Sequence, residues 1–223
     1  MDLSHPEYVI LGENRARILH RLAVLAEPAS GRRIHELSGV RALRSTQRIL
    51  DDLVGLGLVD MQKVGPANAY TLNRGHVLWD PIEKILATRA VVASAVEEAI
   101  TEVTAGVVVS AAIYGSLARG EAGPESDVDV LVVWENGTTE DQRDGVMEAL
   151  EERVRRLTGN RVQVLAVTSG ELARLVEHAD PLVASIRGDG RTVTGVEIRS
   201  LLGSNAKASA SAESATDRRS DAP

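Results

Sequence analysis

Apolar residues recur at two different spacings along the chain. In the first eighty residues they stand three and four positions apart, which predicts helices, and two shorter β-prone runs follow. The residues between those runs, Gly65-Pro66-Ala67-Asn68, are typical of a hairpin tip. The predicted helices cover 14–26, 34–38 and a segment that begins near Ser45-Thr46, and the predicted strands cover 58–64 and 69–72.

A second pattern begins near Asp80. Helical spacing over 80–103 predicts a linker helix, and beyond it strand-like and helical segments alternate. The strands are expected at 107–114, 128–134, 161–168 and 191–194, and the helices at 139–157, 171–178 and 181–187. This alternation predicts a small α/β domain with a mixed sheet. From Gly203 the sequence is dominated by Ala, Ser, Asp and Arg, which predicts a disordered tail over 203–223.

Composition excludes several classes of site. None of the 223 residues is a cysteine, so disulfide scaffolds, thiolate nucleophiles and Cys-ligated metals are excluded. Aromatic residues make up 2% of the chain, which disfavours stacking of several nucleic-acid bases. No apolar run approaches the roughly 18 residues that span a bilayer, and the first residues lack a signal-peptide pattern. We therefore expect a cytoplasmic protein with no membrane partner.

Charge is distributed unevenly. The chain has a net charge of −7, but its first eighty residues carry 10 Lys and Arg against 9 Asp and Glu. That nearly neutral part could approach DNA, whereas the acidic remainder could not. Three helices followed by a hairpin are the plan of a winged helix-turn-helix, whose second helix of the pair presents its first residues to base edges. We expect base contacts from Arg44, Thr46, Gln47 and Arg48, and a phosphate contact from Lys63.

The segment from Ser45 to Val59, with Gly65 and Tyr70-Thr71-Leu72-Asn73, resembles bacterial winged-helix regulators of the MarR/ArsR-like type. The resemblance covers residues 14–75 and implies DNA binding, with a homodimer as one arrangement that doubles the contacts. The alternative is a protein-interaction or dimerisation module, which Asp51, Asp52 and Asp60 near the expected surface favour.

The strongest chemical signal lies between two predicted strands. One strand ends at Gly115-Ser116, where exposed amides and a hydroxyl group suit a phosphate, and a loop leads to Asp127 and Asp129. These two acids stand at i and i+2 of the next strand, so their carboxylates share a face. Carboxylate and phosphate oxygens together are suitable ligands for Mg²⁺. The pattern therefore predicts a site for a Mg²⁺-bound nucleotide.

This pattern of Gly-Ser, ten residues and Asp-x-Asp resembles the signature of the polymerase-β nucleotidyltransferase superfamily. The further matches Ala118-Arg119-Gly120 and Ser126-Asp127 are similar to its minimal nucleotidyltransferase branch. The resemblance implies that Gly115 and Ser116 hold the triphosphate, with Arg119 as a candidate phosphate contact, and that Asp127 and Asp129 bind Mg²⁺. It also implies transfer of NMP from ATP or another NTP to a hydroxyl group.

One position departs from the superfamily pattern. A third carboxylate usually stands on the next strand, where this chain has Gln163, and an amide cannot serve as a general base. Glu171, at the start of the following helix, is a candidate substitute. Two interpretations therefore stay open: a transferase, or a transcription regulator or antitoxin-like protein whose domain binds nucleotide without turnover. A protein partner of toxin–antitoxin type also fits this branch.

Taken together, these patterns predict four segments. They are a winged helix-turn-helix domain over 1–78, a linker helix over 79–104, a nucleotidyltransferase-like domain over 105–202 and a tail over 203–223.

Overall fold

The computed structural model describes residues 1–203 of the protein and divides the chain into two compact units. One unit is His5–Val91. The other contains Met1–Ser4 together with the described chain from Val92 onward. The predicted tail begins at Gly203, which closes a short helix over 198–203, and its remaining positions, 204–223, lie outside the described residues.

The unit His5–Val91 consists of helices and a small antiparallel sheet. Its strands lie in the order β1-β3-β2, with Ala29 opposite Tyr70 and Val59 opposite Leu72. Leucine and isoleucine side chains from the helices pack against the sheet and form one apolar core. The elements are α1 (Tyr8–Leu11), α2 (Glu13–Val24), β1 (Ala29–Ser30), α3 (Gly31–Ser38), α4 (Leu43–Gly55), β2 (Val59–Val64), β3 (Ala67–Leu72) and α5 (Trp79–Leu86).

A tight turn connects α3 to α4. Ser30 caps α3 by accepting a 3.2 Å hydrogen bond from the backbone N–H of Arg33, and α3 ends at Gly39, which has a left-handed φ of 66°. A glycine adopts this backbone conformation without the steric penalty of a Cβ atom. Val40 then returns to the core, so the two helices pack against each other on their apolar faces.

The second unit is built on a four-stranded sheet with helices on both faces. The strand order is β6-β5-β4-β7; β5 and β6 are parallel, and the other neighbours are antiparallel. The sheet is therefore mixed, as the sequence pattern predicts. The elements are α6 (Thr88–Thr104), β4 (Ser110–Tyr114), α7 (Gly115–Arg119), β5 (Val128–Trp134), α8 (Glu140–Thr158), β6 (Val162–Thr168), α9 (Ser169–Glu177), α10 (Pro181–Asp189) and β7 (Arg191–Gly195).

The two faces of this sheet are covered by different helices. Alternate residues of β5 point to opposite faces: Val130 and Val132 pack with α6 and α8, whereas Leu131 and Val133 pack with α9 and α10. Both sets are fully buried, which explains the continuous apolar run of this strand. Asp129 stands two residues before Leu131 on the same strand, so its side chain points to the face that α9 and α10 cover.

The first four residues of the chain belong to the second unit. Leu3 is 2% exposed and lies in the core formed by α6, α8 and the sheet. The backbone N–H of Ser4 donates to the carbonyl of Ala122 at 3.2 Å, and the side chain of Asn160 donates to the carbonyls of Met1 and Ser126. This short segment therefore packs beside the loop that precedes Asp127.

Several boundaries differ from those expected. The predicted linker helix is two helices, α5 and α6, separated at Ala87, whose N–H bonds back to Glu83. α4 begins at Leu43 rather than near Ser45, and α3 begins at Gly31 rather than Ile34. The sequence pattern predicts neither the single turn α1 nor the two-residue strand β1, because neither is long enough to show a periodicity.

Candidate active site

Asp127 and Asp129 stand at the start of the central strand β5. Asp127 immediately precedes the strand and Asp129 is its second residue. The strand register pairs Asp129 with Tyr114, the last residue of β4, on one side. On the other side it pairs Asp129 with Gln163 of β6. The two acids therefore lie at the sheet edge where β4 ends and α7 begins.

Gly115 is in direct contact with the side chain of Asp129. Gly115 has a left-handed φ of 70°, and a Cβ atom at this position would overlap Oδ2 of Asp129 and lie 3.0 Å from its Cγ. A side chain is therefore excluded both by the backbone conformation and by the carboxylate. The structure thus brings together the glycine and one of the acids predicted from the motif, although ten residues separate the two halves of the motif.

The electrostatic environment of Asp129 favours its neutral form. Burial raises the pKa of Asp129, the adjacent negative charge of Asp127 raises it further, and Arg119 acts in the opposite direction. Burial, and then the charge of Asp129, raise the pKa of Tyr114. A cation bound at this site would relieve the repulsion between the two neighbouring carboxylates. Two carboxylates alone do not complete a metal site, and within residues 1–203 no third acidic or histidine side chain joins them in a metal-binding cluster.

Ser116 and Arg119 lie on the single helical turn α7. The carbonyl of Ser116 accepts a 2.8 Å hydrogen bond from the N–H of Glu121, which closes the turn. Arg119 donates from Nε to Oε2 of Glu121 at 2.9 Å and from Nη1 to Oδ2 of Asp189. The predicted phosphate contact Arg119 is therefore held between two carboxylates of its own chain.

Gln163 and Glu171 lie at opposite ends of β6. Gln163 lies opposite Asp129, where its spacing places it. Glu171 is not a substitute, because it lies beyond the other end of β6, which is about 16 Å long from Gln163 to Thr168. Its carboxylate caps α9 instead, and the hydrogen bonds from the backbone and side chain of Thr168 lower the pKa of Glu171.

Asp189 is a site residue that the sequence pattern misses. It is the last residue of α10, and its Oδ2 contacts Arg119. It stands sixty residues after the Asp-x-Asp motif, so no local spacing rule connects the two. The only local signal is its place before Gly190 at the junction between a helix and a strand.

Four of the five predicted DNA-contacting residues are exposed. Arg44, Gln47 and Arg48 line an open depression of about 570 Å³ on α4, together with Ala42, Ser45 and Asp51. Lys63 is exposed on β2 near the hairpin tip. Within residues 1–203 neither Arg44 nor Arg48 forms an ion pair, whereas Arg32 and Arg33 both pair with Glu36.

The expected outward position of Thr46 is wrong. Thr46 is completely buried, and its Oγ1 lies 3.1 Å from Nδ1 of His35. The reason is helical spacing: Thr46 lies three and four positions before Ile49 and Leu50 on α4, so it shares their buried face. Thr46 therefore connects two helices of the unit and does not face solvent.

In the described part of the chain no helix is both long and apolar enough to cross a membrane.

Part of the chain is similar to known proteins. No curated protein matches the chain. Among solved structures, a crystal structure of a toxin–antitoxin with AMP-PNP aligns at 12% identity and a TM-score of 0.36, covering 55% of this chain and 93% of that chain. A protein described as a nucleotidyltransferase from Sulfolobus solfataricus aligns at 22% identity and a TM-score of 0.27, covering 40% of this chain and 78% of its own.

The family model of the nucleotidyltransferase domain matches residues 95–172. The match extends from α6 to the start of α9 and includes Gly115, Ser116, Asp127 and Asp129. The chain is therefore similar to nucleotidyltransferase domains over residues 95–172.

Proposed function

We propose that this domain binds a Mg²⁺-bound NTP and transfers its NMP group to a hydroxyl acceptor. The observation that carries the proposal is the contact of Gly115 with the carboxylate of Asp129, which joins the two halves of the motif in one site. In this proposal the backbone and hydroxyl group of Gly115-Ser116 bind the triphosphate. Asp127 and Asp129 supply oxygen ligands, and the repulsion between them is relieved when the cation binds.

The proposed reaction is a displacement at the α-phosphorus of the NTP. The acceptor oxygen forms a bond to this phosphorus, the bond to the bridging oxygen of the β-phosphate breaks, and pyrophosphate leaves. When bound, Mg²⁺ would stabilise the charge that develops on the phosphate oxygens. The hydroxyl proton passes to solvent, because Gln163 opposite Asp129 is an amide and cannot accept it.

Transfer of label from α-³²P-ATP in the presence of Mg²⁺ tests this proposal. The acceptors are the protein itself, a short RNA with a free 3′-hydroxyl group and a mixture of small alcohols and sugars. The double variant Asp127→Asn with Asp129→Asn is expected to lose all transfer, because it removes both charged ligands. Glu125→Gln removes an exposed charge from the same loop and is expected to retain full transfer. Equal labelling by the wild type and the double variant would overturn the proposal.

Gln163 favours a second candidate function, nucleotide binding without turnover. The amide stands opposite Asp129, where the superfamily pattern has a carboxylate, and it contributes neither charge nor a proton acceptor. Titration calorimetry with a non-hydrolysable ATP analogue and Mg²⁺ separates the two functions. Tight binding with no transfer to any acceptor would support a regulator whose nucleotide-bound state is the signal.

We also propose that residues of the unit His5–Val91 form a winged helix-turn-helix that binds DNA. Arg44, Gln47 and Arg48 support this, because they are exposed on α4 with no competing ion pair for either arginine within residues 1–203. Arginine and glutamine can each make paired hydrogen bonds to a base edge. Lys63 on the hairpin would contact phosphate.

Selection from a random DNA pool at low salt, followed by titration, tests the DNA-binding proposal. The double variant Arg44→Gln with Arg48→Gln is expected to abolish selective binding. The control is Arg21→Gln, because Arg21 is an exposed arginine on α2 without an ion pair in the described chain. Lys63→Gln is expected to reduce the slope of log affinity against log salt concentration by about one and to leave the selected sequence unchanged. Absence of binding at low salt would overturn the proposal.

A protein partner of toxin–antitoxin type remains an expectation of the resemblance to the minimal branch. The test is co-expression of the chain with a small helical protein encoded by a neighbouring gene. Co-purification of the two, in proportions that change with nucleotide, would support the partnership.

A further inference from the structure

The pairing of β7 with β4, rather than the sequence motif, brings Asp189 to the candidate site. β7 pairs with β4 so that Arg191 lies opposite Ile113 and Thr192 lies opposite Ala112. Continuing this antiparallel register places Asp189-Gly190 beside Tyr114-Gly115, at the edge where the acids of β5 also lie. The end of α10 is therefore fixed next to α7 by strand pairing.

The corner between α10 and β7 fixes the position of Asp189. A Cβ atom on Gly190 would overlap the backbone oxygen of Ile186 and lie 3.0 Å from its Cγ2, so only glycine fits there. The N–H of Gly190 donates to this same oxygen at 2.8 Å. Asp189 thus sits on a closely packed helix end rather than on a free loop.

Asp189 and Glu121 both bond to Arg119, but the carboxylate of Asp189 is much less exposed than that of Glu121. The side chain of Asp189 is 14% exposed, whereas that of Glu121 is 66% exposed. An exposed ion pair contributes little because solvent screens it. The less exposed carboxylate therefore determines where the guanidinium group lies, and Glu121 is the weaker partner.

One oxygen of Asp189 remains without a hydrogen bond. Oδ2 accepts from Arg119, but Oδ1 is buried and has no partner among the described residues. Leaving a buried acceptor unpaired lowers the stability of a fold, so such a group usually has another role. Both charges also act on the nearby acid: Arg119 lowers the pKa of Asp129, and Asp189 raises it to a smaller extent.

We propose that Asp189 is a positioning residue that holds Arg119 beside Asp129, where the guanidinium group binds the phosphates of the nucleotide. The inference rests on the proposed function, because it assigns a role within the same site. An arginine has five N–H donors in a planar fork, and the two carboxylates engage only part of them. The remaining donors suit phosphate oxygens, and the bond to Asp189 holds the guanidinium group of Arg119 in the site.

A double-mutant cycle on nucleotide affinity tests this proposal. The variants are Asp189→Asn, Arg119→Gln and their combination, and the probe is a non-hydrolysable ATP analogue with Mg²⁺ in titration calorimetry. Asp189→Asn is expected to weaken binding about tenfold, the scale of one charge-assisted hydrogen bond. In the Arg119→Gln background it is expected to have no further effect, because Asp189 acts only through Arg119.

Glu121→Gln is the matched control, since it removes the exposed carboxylate from the same arginine. It is expected to change affinity less than about twofold. Thermal unfolding of each variant separates a loss of binding from a loss of fold. Should Asp189→Asn fail to fold, Asp189→Glu keeps the charge but moves it by one methylene, and it is expected to weaken binding in the same Arg119-dependent way.

Each outcome has a distinct meaning. Wild-type binding with an unchanged Asp189→Asn variant would overturn the positioning role and leave the proposed function intact. A further loss in the Arg119→Gln background would show that Asp189 acts on the nucleotide directly, which also overturns it. Absence of nucleotide binding by the folded wild type would overturn the proposed function and this inference together.

Discussion

Gly115 has no room for even a methyl group, because its Cα faces the carboxylate of Asp129. Gly115→Ala is expected to destabilise the protein and to weaken nucleotide binding. Its left-handed φ alone costs a residue with a side chain about 1–2 kcal/mol, and the added Cβ must also displace Asp129. Chemical denaturation and calorimetric titration with an ATP analogue measure the two effects.

Gly106 provides the matched control for this substitution. It has a φ of 75°, and a Cβ atom there would have no neighbour within 4 Å. Gly106→Ala therefore carries the conformational penalty without the contact. Similar loss of nucleotide binding in both variants would show that the contact between Gly115 and Asp129 is not what forms the site.

Asp129 should make the stability of the protein depend on pH. Its pKa is raised by burial and by Asp127, so the folded state binds the proton more tightly than the unfolded state does. The contribution of Asp129 to wild-type stability is therefore expected to fall as pH rises from the ordinary pKa of an aspartate through the raised pKa. Asp129→Asn should remove this fall and be more stable than wild type at neutral pH, with no advantage below the ordinary pKa.

Urea unfolding midpoints from acidic to neutral pH measure this effect. Glu125→Gln, which removes an exposed charge from the loop before Asp127, is expected to retain the wild-type pH profile. A pH profile of Asp129→Asn parallel to that of wild type would contradict the raised pKa.

Between α3 and α4, Thr46 and His35 form the only polar contact that the described side chains show across this turn. Thr46→Ala is expected to lower the free energy of unfolding by about 1–3 kcal/mol, because it leaves the half-buried His35 ring without its partner. Thr46→Ser keeps the hydroxyl group and should restore most of the loss. Both are measured by denaturant unfolding.

Unchanged stability of Thr46→Ala would show that the contact between Thr46 and His35 does not stabilise the fold.

The elements that the sequence predicts well are those with long patterns and clear ends. α8 has an amphipathic pattern, and its ends carry their own signals: Thr139 and Gln142 form a capping box, and Gly159 terminates it in a left-handed conformation. The interruption at Ala87 carries no such signal, because alanine is a good helix former and the apolar spacing continues into α6. The sequence therefore predicts a continuous linker helix there.

Within the candidate site, local motifs predict only local partners. Gly115, Ser116, Asp127 and Asp129 follow from one motif because strands β4 and β5 are neighbours in both sequence and space. Asp189 does not, because it joins the site through the pairing of β7 with β4, which no sequence spacing reveals. Glu171 lies far from Asp129 because β6 runs parallel to β5, and no local sequence pattern reveals that direction.

At the scale of the whole molecule, the second unit depends on residues at the start of the chain. Leu3 is 2% exposed in the core formed by α6, α8 and the sheet. Leu3→Ala is expected to lower the free energy of unfolding by about 2–5 kcal/mol, the usual range for a buried leucine. The measurement is denaturant unfolding followed by the fluorescence of Trp134, which is fully buried in the same core.

Val107→Ala is the control for this prediction, because Val107 is an apolar residue of the same unit that is mostly exposed. It is expected to change stability by less than about 0.5 kcal/mol. An equally small effect of Leu3→Ala would show that the first four residues do not contribute to this core.

Protein synthesis imposes an order on this arrangement. Leu3 and Ser4 are translated more than a hundred residues before Ala122 and Asn160, whose backbone carbonyl and side chain hold this segment. Residues 5–91 can complete their own core before the residues that contact 1–4 have been translated. Leu3 therefore stays uncovered while the intervening residues are translated, and completion of the second unit is a late, long-range step.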